Sequence, residues 1–255
     1  MAAITNMFMM ARDPAASVAK RALSYSSLML HRLVGVVPAW SFVLRRLRSL
    51  GFHPRTVFDI GVARGTPELY AVFPDARYFL VDPTRESLPF MQRIARQLDA
   101  TVLNVALGAR DGDAEISVRT DDIGGSTFYE EIGSLGPTRR YHVPVRRFDQ
   151  AIDAFERPAL CKIDVQGAEL DVLRGMGERI HDLDAILIEA SLIATIRNGP
   201  EIAEVVAFLR QRGFVVYDVL GGGRRPLDKA LAQLDLLFVK VSSPLRADHR
   251  WTDSV

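Results

Sequence analysis

Between residues 56 and 241 the chain alternates short apolar runs with helical stretches, and few folds accept that alternation. The runs are "TVFDIG" (56–61), "RYFLVD" (77–82), "TVLNVAL" (101–107), "ALCKIDV" (159–165), "AILIEAS" (185–191), "FVVYDVL" (214–220) and "DLLFVKV" (235–241). Most are apolar almost throughout, the pattern of strands covered by helices on both faces of a parallel sheet. Helices are expected between them over 67–73, 86–98, 168–175 and 200–212. The order strand, helix, strand predicts an α/β fold with an open, doubly wound sheet. Only "GGGRRP" and a short segment separate the last two runs, too little for a sure crossover helix, so the final strand is expected to run antiparallel. "DGDAEISVRT" (111–120) reads as a small hairpin excursion, residues 121–140 as a polar, glycine-rich mobile loop near a site, and "YHVPVRRFDQAI" as the return to the sheet.

Composition narrows the classes. With 255 residues and 48% hydrophobic content the chain can fill one large α/β domain. A formal net charge of +1 provides no global field towards nucleic acid, and no nucleic-acid partner is expected. Cys161 is the only cysteine and reads as a buried small hydrophobe, in keeping with a reducing, cytoplasmic setting. No apolar run reaches the ~18 residues of a spanning helix. The first residues lack a basic stretch ahead of their apolar part and meet Asp13 and Pro14 early, so no secretory signal is read. Residues 1–50 read as a helical extension interrupted at Pro38 and stopped at Gly51, 51–243 as the main domain and 244–255 as a tail. The extension is expected to pack as a cap. The alternative is a helix for peripheral membrane contact or homo-oligomer contact, favoured by Lys20, Arg21, Arg45, Arg46 and Arg48.

The stretch "TVFDIGVARGTPELYAVFPDARYFLVDP" carries the first site signal. Gly61 ends the first strand, and Gly65 precedes Thr66 and Pro67, a helix start in which Thr66 is expected to cap. In open α/β sheets ligands bind beyond the carboxyl ends of the strands at the switch point, and Asp82, ending the second strand, suits the diol of a ribose. The spacing is not the G-x-G-x-x-G of a dinucleotide site. Asp59 inside the turn disfavours a pyrophosphate and suits a ligand with a cationic amino-acid end, such as S-adenosyl-L-methionine. A tight turn with no ligand is the alternative.

Three further segments, "NVALG" (104–108), "KIDVQGAELDVLRG" (162–175) and "LAQLDLLFV" (231–239), follow "FDIGVARG" and "VDP" in order. Over roughly residues 56–240 the chain resembles the FkbM family of S-adenosylmethionine-dependent methyltransferases. The resemblance implies a class I methyltransferase fold, Rossmann-like, with seven strands and the last antiparallel. It also implies methyl transfer to a hydroxyl of a sugar, glycan or natural product. Asp59, Gly61 and Gly65 match the first cofactor motif, Asp82 the ribose-binding acid, and Asn104, with Ala106 beside it, the position near the adenine. The family often reads D-I-G-A-N-x-G, and here Val62 and Ala63 stand where Ala and Asn are common.

Asp164 ends the fourth expected strand and is the first candidate for the base that takes the acceptor's proton, or for the group that holds the acceptor; capping of the following helix is its structural alternative. Glu189, ending the next strand, and His142, from the loop side, are the other catalytic candidates, although a histidine serving only the surface or core is the commoner case. Glu169 reads as a first-turn helix acid. Asp164 and Glu189 lack a third ligand, so no metal is expected. Two other functions compete: a nicotinamide-dependent oxidoreductase, and a binding protein that keeps the fold without the reaction.

Overall fold

In the computed structural model, residues 39–133 and 136–252 are described. The part of the expected N-terminal extension before residue 39, with Lys20 and Arg21, lies outside them. The extension's described portion is one helix, α1 (Trp40–Ser49), which Gly51 ends in a left-handed conformation. It buries Val43, Leu44 and Leu47 and turns Arg45, Arg46 and Arg48 outward.

Among the described residues ten strands and five further α-helices follow. The strands are β1 (Thr56–Ile60), β2 (Arg77–Val81), β3 (Ala100–Leu103), β4 (Ala106–Leu107), β5 (Gly112–Arg119), β6 (Thr138–Arg146), β7 (Ala159–Ile163), β8 (Ala185–Ser191), β9 (Phe214–Arg224) and β10 (Leu231–Lys240). The helices are α2 (Pro67–Val72), α3 (Leu88–Ala95), α4 (Phe148–Ala151), α5 (Glu169–Gly175) and α6 (Ile202–Gln211). Seven strands form the main sheet in the order β3-β2-β1-β7-β8-β10-β9. All its pairings are parallel except those of β10, which runs antiparallel to β8 and β9. This is the expected class I methyltransferase topology.

Strand alternation divides the core. Phe58 and Ile60 face the layer of α4, α5 and α6 with Phe148, Leu173 and Leu209. Val57 faces the layer of α1, α2 and α3 with Leu44, Leu69 and Met91. Asp59 shares the face of Val57, so its carboxylate is directed at α2, not at the end of the sheet.

The structure departs from the sequence expectations in three places. The run 101–107 is not one strand: β3 stops at Leu103, and β4 leaves the main sheet. The break falls at Asn104, whose Nδ2 donates to the carbonyls of Asp82 (2.8 Å) and Thr84 (3.1 Å). The segment after it joins a second sheet, ordered β4-β6-β5, so "YHVPV" pairs with "DGDAEISVR" and does not return to the main sheet. Third, "GGG" continues β9 beyond residue 220. A Cβ at Gly221 would strike the Asp235 carboxylate and one at Gly222 would come within 2.9 Å of the Gln233 carbonyl, so glycine lets β9 and β10 stay paired there.

Candidate active site

The strand order reverses between β1 and β7, and a cleft opens at their carboxyl ends. Gly61, Ala63, Asp82, Ala106, Asp164 and Gln166 line it, with Pro83, Val105, Leu107, Ile116, Ile123 and Phe128 forming an apolar side. The glycine-rich segment after β5 roofs it. That segment is folded: Ile123–Gly125 forms a 3-10 turn, Ser117 and Thr127 exchange two backbone hydrogen bonds, and the Ile132 amide donates to the Thr195 carbonyl at 2.8 Å.

Gly61 has φ +80, and the reason it must be glycine lies behind it. A Cβ would overlap the carbonyl oxygen of Asp164 on the neighbouring strand end. The glycine therefore serves the packing of β1 on β7 before it serves any ligand. Ala63 follows with φ 47, an unusual conformation for a residue with a side chain and one that the family's Asn tolerates better. Its N–H donates to Asp82 Oδ2 (2.8 Å), and Asp82 Oδ1 accepts from the N–H (2.9 Å) and hydroxyl (2.7 Å) of Thr84. A carboxylate offers about four lone-pair directions, so roughly one stays open to the cleft. Thr66 holds the N-cap position of α2, but its side chain makes no capping bond; Pro67 is in the first turn as expected.

Asp59 is wholly buried. Its Oδ2 accepts from the Tyr70 hydroxyl at 2.5 Å, and its Oδ1 makes a 3.2 Å ion pair with Lys162 Nζ that is not aligned as a hydrogen bond. Burial first, and then the Asp59 charge, hold the Tyr70 phenol far above its ordinary range. Lys162 also donates to the Gly61 carbonyl at 2.5 Å and lies 3.7 Å from Asp164 Oδ2. Burial opposes its charge, but the carboxylates of Asp59 and Asp164 outweigh that and raise its pKa.

Asp164 does not cap α5, whose N-cap is Ala168. Its Oδ1 accepts from Gln166 Nε2 at 2.8 Å, and the same nitrogen donates to Glu189 Oε2 at 2.8 Å. Gln233 Nε2 donates to Glu189 at 3.0 Å. Asp235 stands opposite Glu189 in the β8–β10 register and accepts from the Trp40 indole at 2.8 Å. Burial, then the charges of Asp164, Asp235 and Glu169, push the Glu189 carboxyl up to about 8. Burial likewise pushes Glu169 up to about 7, against the Gly167 N–H that donates to it at 2.9 Å.

The structure thus brings Gly61, Asp82, Ala106 and Asp164 to one cleft, with Glu189 behind Gln166. Asp59 stands beneath the turn, and Gly65 packs under Ile94 and Tyr70. Asn104 bonds the backbone of the Asp82 loop. His142 is exposed on β6 opposite Glu115, away from the cleft lining. Sequence spacing did not single out Tyr70, Thr84, Gln166 or Gln233; the only cue was Gln166 two residues after Asp164. Among the described residues no group of three acids, histidines or cysteines is arranged to hold a metal ion. None of their helices is long and apolar enough to cross a membrane.

The methyltransferase FkbM domain family matches residues 59–216, more than half of the chain. The chain belongs to the FkbM methyltransferase family. No curated protein matches it. Among solved structures, it is similar to an FkbM methyltransferase from Methylobacillus flagellatus KT, with a TM-score of 0.50 and 18% identity over 79% of this chain and 48% of that one. It is also similar to a precorrin-6y C5,15-methyltransferase from Geobacter metallireducens GS-15 (TM-score 0.42, 14% identity, 78% and 88% covered). A third is the Burkholderia thailandensis 1,6-didemethyltoxoflavin-N1-methyltransferase, solved with 1,6-didemethyltoxoflavin and S-adenosylhomocysteine (0.39, 18%, 89% and 90%). At 18% identity the likeness to the Methylobacillus protein is one of fold alone, and this FkbM chain spans about half of that protein's length.

Proposed function

We propose that this FkbM-family chain transfers the methyl group of S-adenosyl-L-methionine to a hydroxyl oxygen of a sugar, glycan or natural product. The observation that carries the reading is the cleft at the sheet's switch point, with Asp82 and an apolar wall on one side and Asp164 on the other. The residues fit such a cofactor. Pro83, Val105, Leu107 and Phe128 would offer apolar surface to a flat base, Asp82 would accept from a ribose hydroxyl, and Asp164 would bring negative charge to a cationic end. When bound, the cofactor supplies an electrophilic methyl on a sulfonium.

The chain's own residues supply the rest. Asp164, part-exposed and held by Lys162 and Gln166, accepts the proton of an acceptor hydroxyl or fixes that hydroxyl in line. A positioned base contributes roughly 10²–10⁴-fold. The roof formed by Ile123, Gly124, Ser126 and Phe128 keeps water from the reacting atoms. Calorimetric titration with S-adenosylhomocysteine and with NAD tests the reading. Binding of the first alone is expected, binding of NAD alone would make the chain an oxidoreductase, and binding of neither would leave a fold without the reaction.

A further inference from the structure

Gln166 is built into the site at three points. Its backbone is left-handed (φ 50), a conformation a glutamine seldom adopts, and Gly167 beside it is at φ 98. Its carbonyl accepts the Thr127 hydroxyl at 2.7 Å, a contact from the buried centre of the roof. Its side-chain nitrogen spans Asp164 and Glu189, both at 2.8 Å. The ionised Asp164 carboxylate only accepts, so the amide nitrogen must be directed at it, which fixes the amide's orientation and leaves its second hydrogen for Glu189 Oε2.

A strained backbone persists where its surroundings over-determine it. Here the surroundings are the roof on one side and two carboxyl groups on the other. If Thr127 withdraws, the carbonyl loses its donor and the turn can relax. If the turn relaxes, the amide leaves both carboxyl groups and Asp164 loses its orientation. The roof has a second anchor that reports on this: the Ile132 amide donates to the Thr195 carbonyl, and the Arg197 amide donates to the Glu130 carbonyl, each at 2.8 Å.

We propose that Gln166 is a positioning residue that couples closure of the 121–133 roof to the orientation of the Asp164 carboxylate. The inference rests on reading the cleft as the methyl-transfer site, and in that setting it means that the Asp164 carboxylate is aligned only while the roof is closed.

The test is a double-mutant cycle read by amide hydrogen exchange in the full chain, with S-adenosylhomocysteine titrated in parallel. Thr127→Val removes the hydroxyl and keeps the shape, while Gln166→Leu removes the amide. Gln166→Leu should speed exchange at Ile132 and Arg197 about tenfold, the worth of roughly one hydrogen bond, and Thr127→Val by at least as much, because its hydroxyl also accepts from the Tyr129 amide at 3.1 Å. The double variant should exchange no faster than Thr127→Val alone, because the change at 166 acts through the linkage already broken. Thr127→Ser should keep parental protection. Gln166→Asn, which tolerates the left-handed backbone but is too short to span both carboxyl groups, repeats the test should the leucine variant fail to fold. Additive effects, or roof protection unmoved by either change at position 166, would overturn the proposal. Failure of the parent to bind S-adenosylhomocysteine would sink the methyl-transfer reading instead, and the exchange cycle would still report on the coupling.

Discussion

Lys162 is paired with two acids, Asp59 and Asp164, and its removal should be among the most costly single changes in the domain. Its side chain is 4% exposed and that of its partner Asp59 is 0% exposed. Lys162→Met keeps the length and apolar stem but leaves Asp59 with Tyr70 as its only donor, and it strips the Gly61 carbonyl of its 2.5 Å bond. Breaking a buried pair by deleting one member costs about 3–5 kcal/mol, because the remaining charge is uncompensated. Against a total stability of about 5–15 kcal/mol, that is a large fraction. Equilibrium urea unfolding measures it, with a midpoint lowered by on the order of 1 M or more. The double variant Asp59→Asn/Lys162→Met should recover most of the loss, since the asparagine carbonyl still accepts the Tyr70 hydroxyl and no net charge is buried. A cost under about 1 kcal/mol for Lys162→Met, or a double variant as unstable as the single one, would refute the reasoning.

Three further outcomes are expected. Gly61→Ala should destabilise by more than about 3 kcal/mol, because a Cβ at φ +80 enters the Asp164 carbonyl; a variant with parental thermal stability and weakened cofactor binding would return the glycine to a purely ligand-facing role. Asp82→Ala should weaken S-adenosylhomocysteine binding by about 1.5–3 kcal/mol for one charge-assisted bond, and somewhat more through release of Ala63 and Thr84, with unchanged affinity in calorimetry counting against the ribose assignment. For Glu189 the folded-state value of about 8 lies above its ordinary 4.5, so its contribution is favourable at low pH and is lost as pH rises through 8. Glu189→Gln removes that dependence, and its stability relative to the parent should climb between about pH 4.5 and 8; a pH-independent difference in unfolding midpoints would contradict the buried, protonated carboxyl.

The helix-and-strand order was legible because parallel strands buried on both faces must be largely apolar, as "TVFDI" and "AILIEA" are apart from one acid each and Thr56. The cleft's place was legible for a related reason: ligand loops follow the carboxyl ends of such strands, which points to Gly61, Asp82 and Asp164 in a single sequence. Between residues 101 and 146 only the excursion strand in "DGDAEISVRT" was legible. "TVLNVAL" is locally as good a strand as any, and its division depends on Asn104 reaching the Asp82 and Thr84 carbonyls, a contact some twenty residues away in sequence. Alternation places Asp59 and Val57 on one face, but only the packed helices decide that Asp59 meets Tyr70 there. Gln166 was marked only by its place two residues after Asp164, since its other partners, Glu189 and Thr127, are brought to it by two separate segments. The sequence by itself determined the period of each element and so the class of sheet. The tertiary structure alone decided which carboxylates face the cleft and which are paired behind it, because that depends on contacts between residues far apart in the chain.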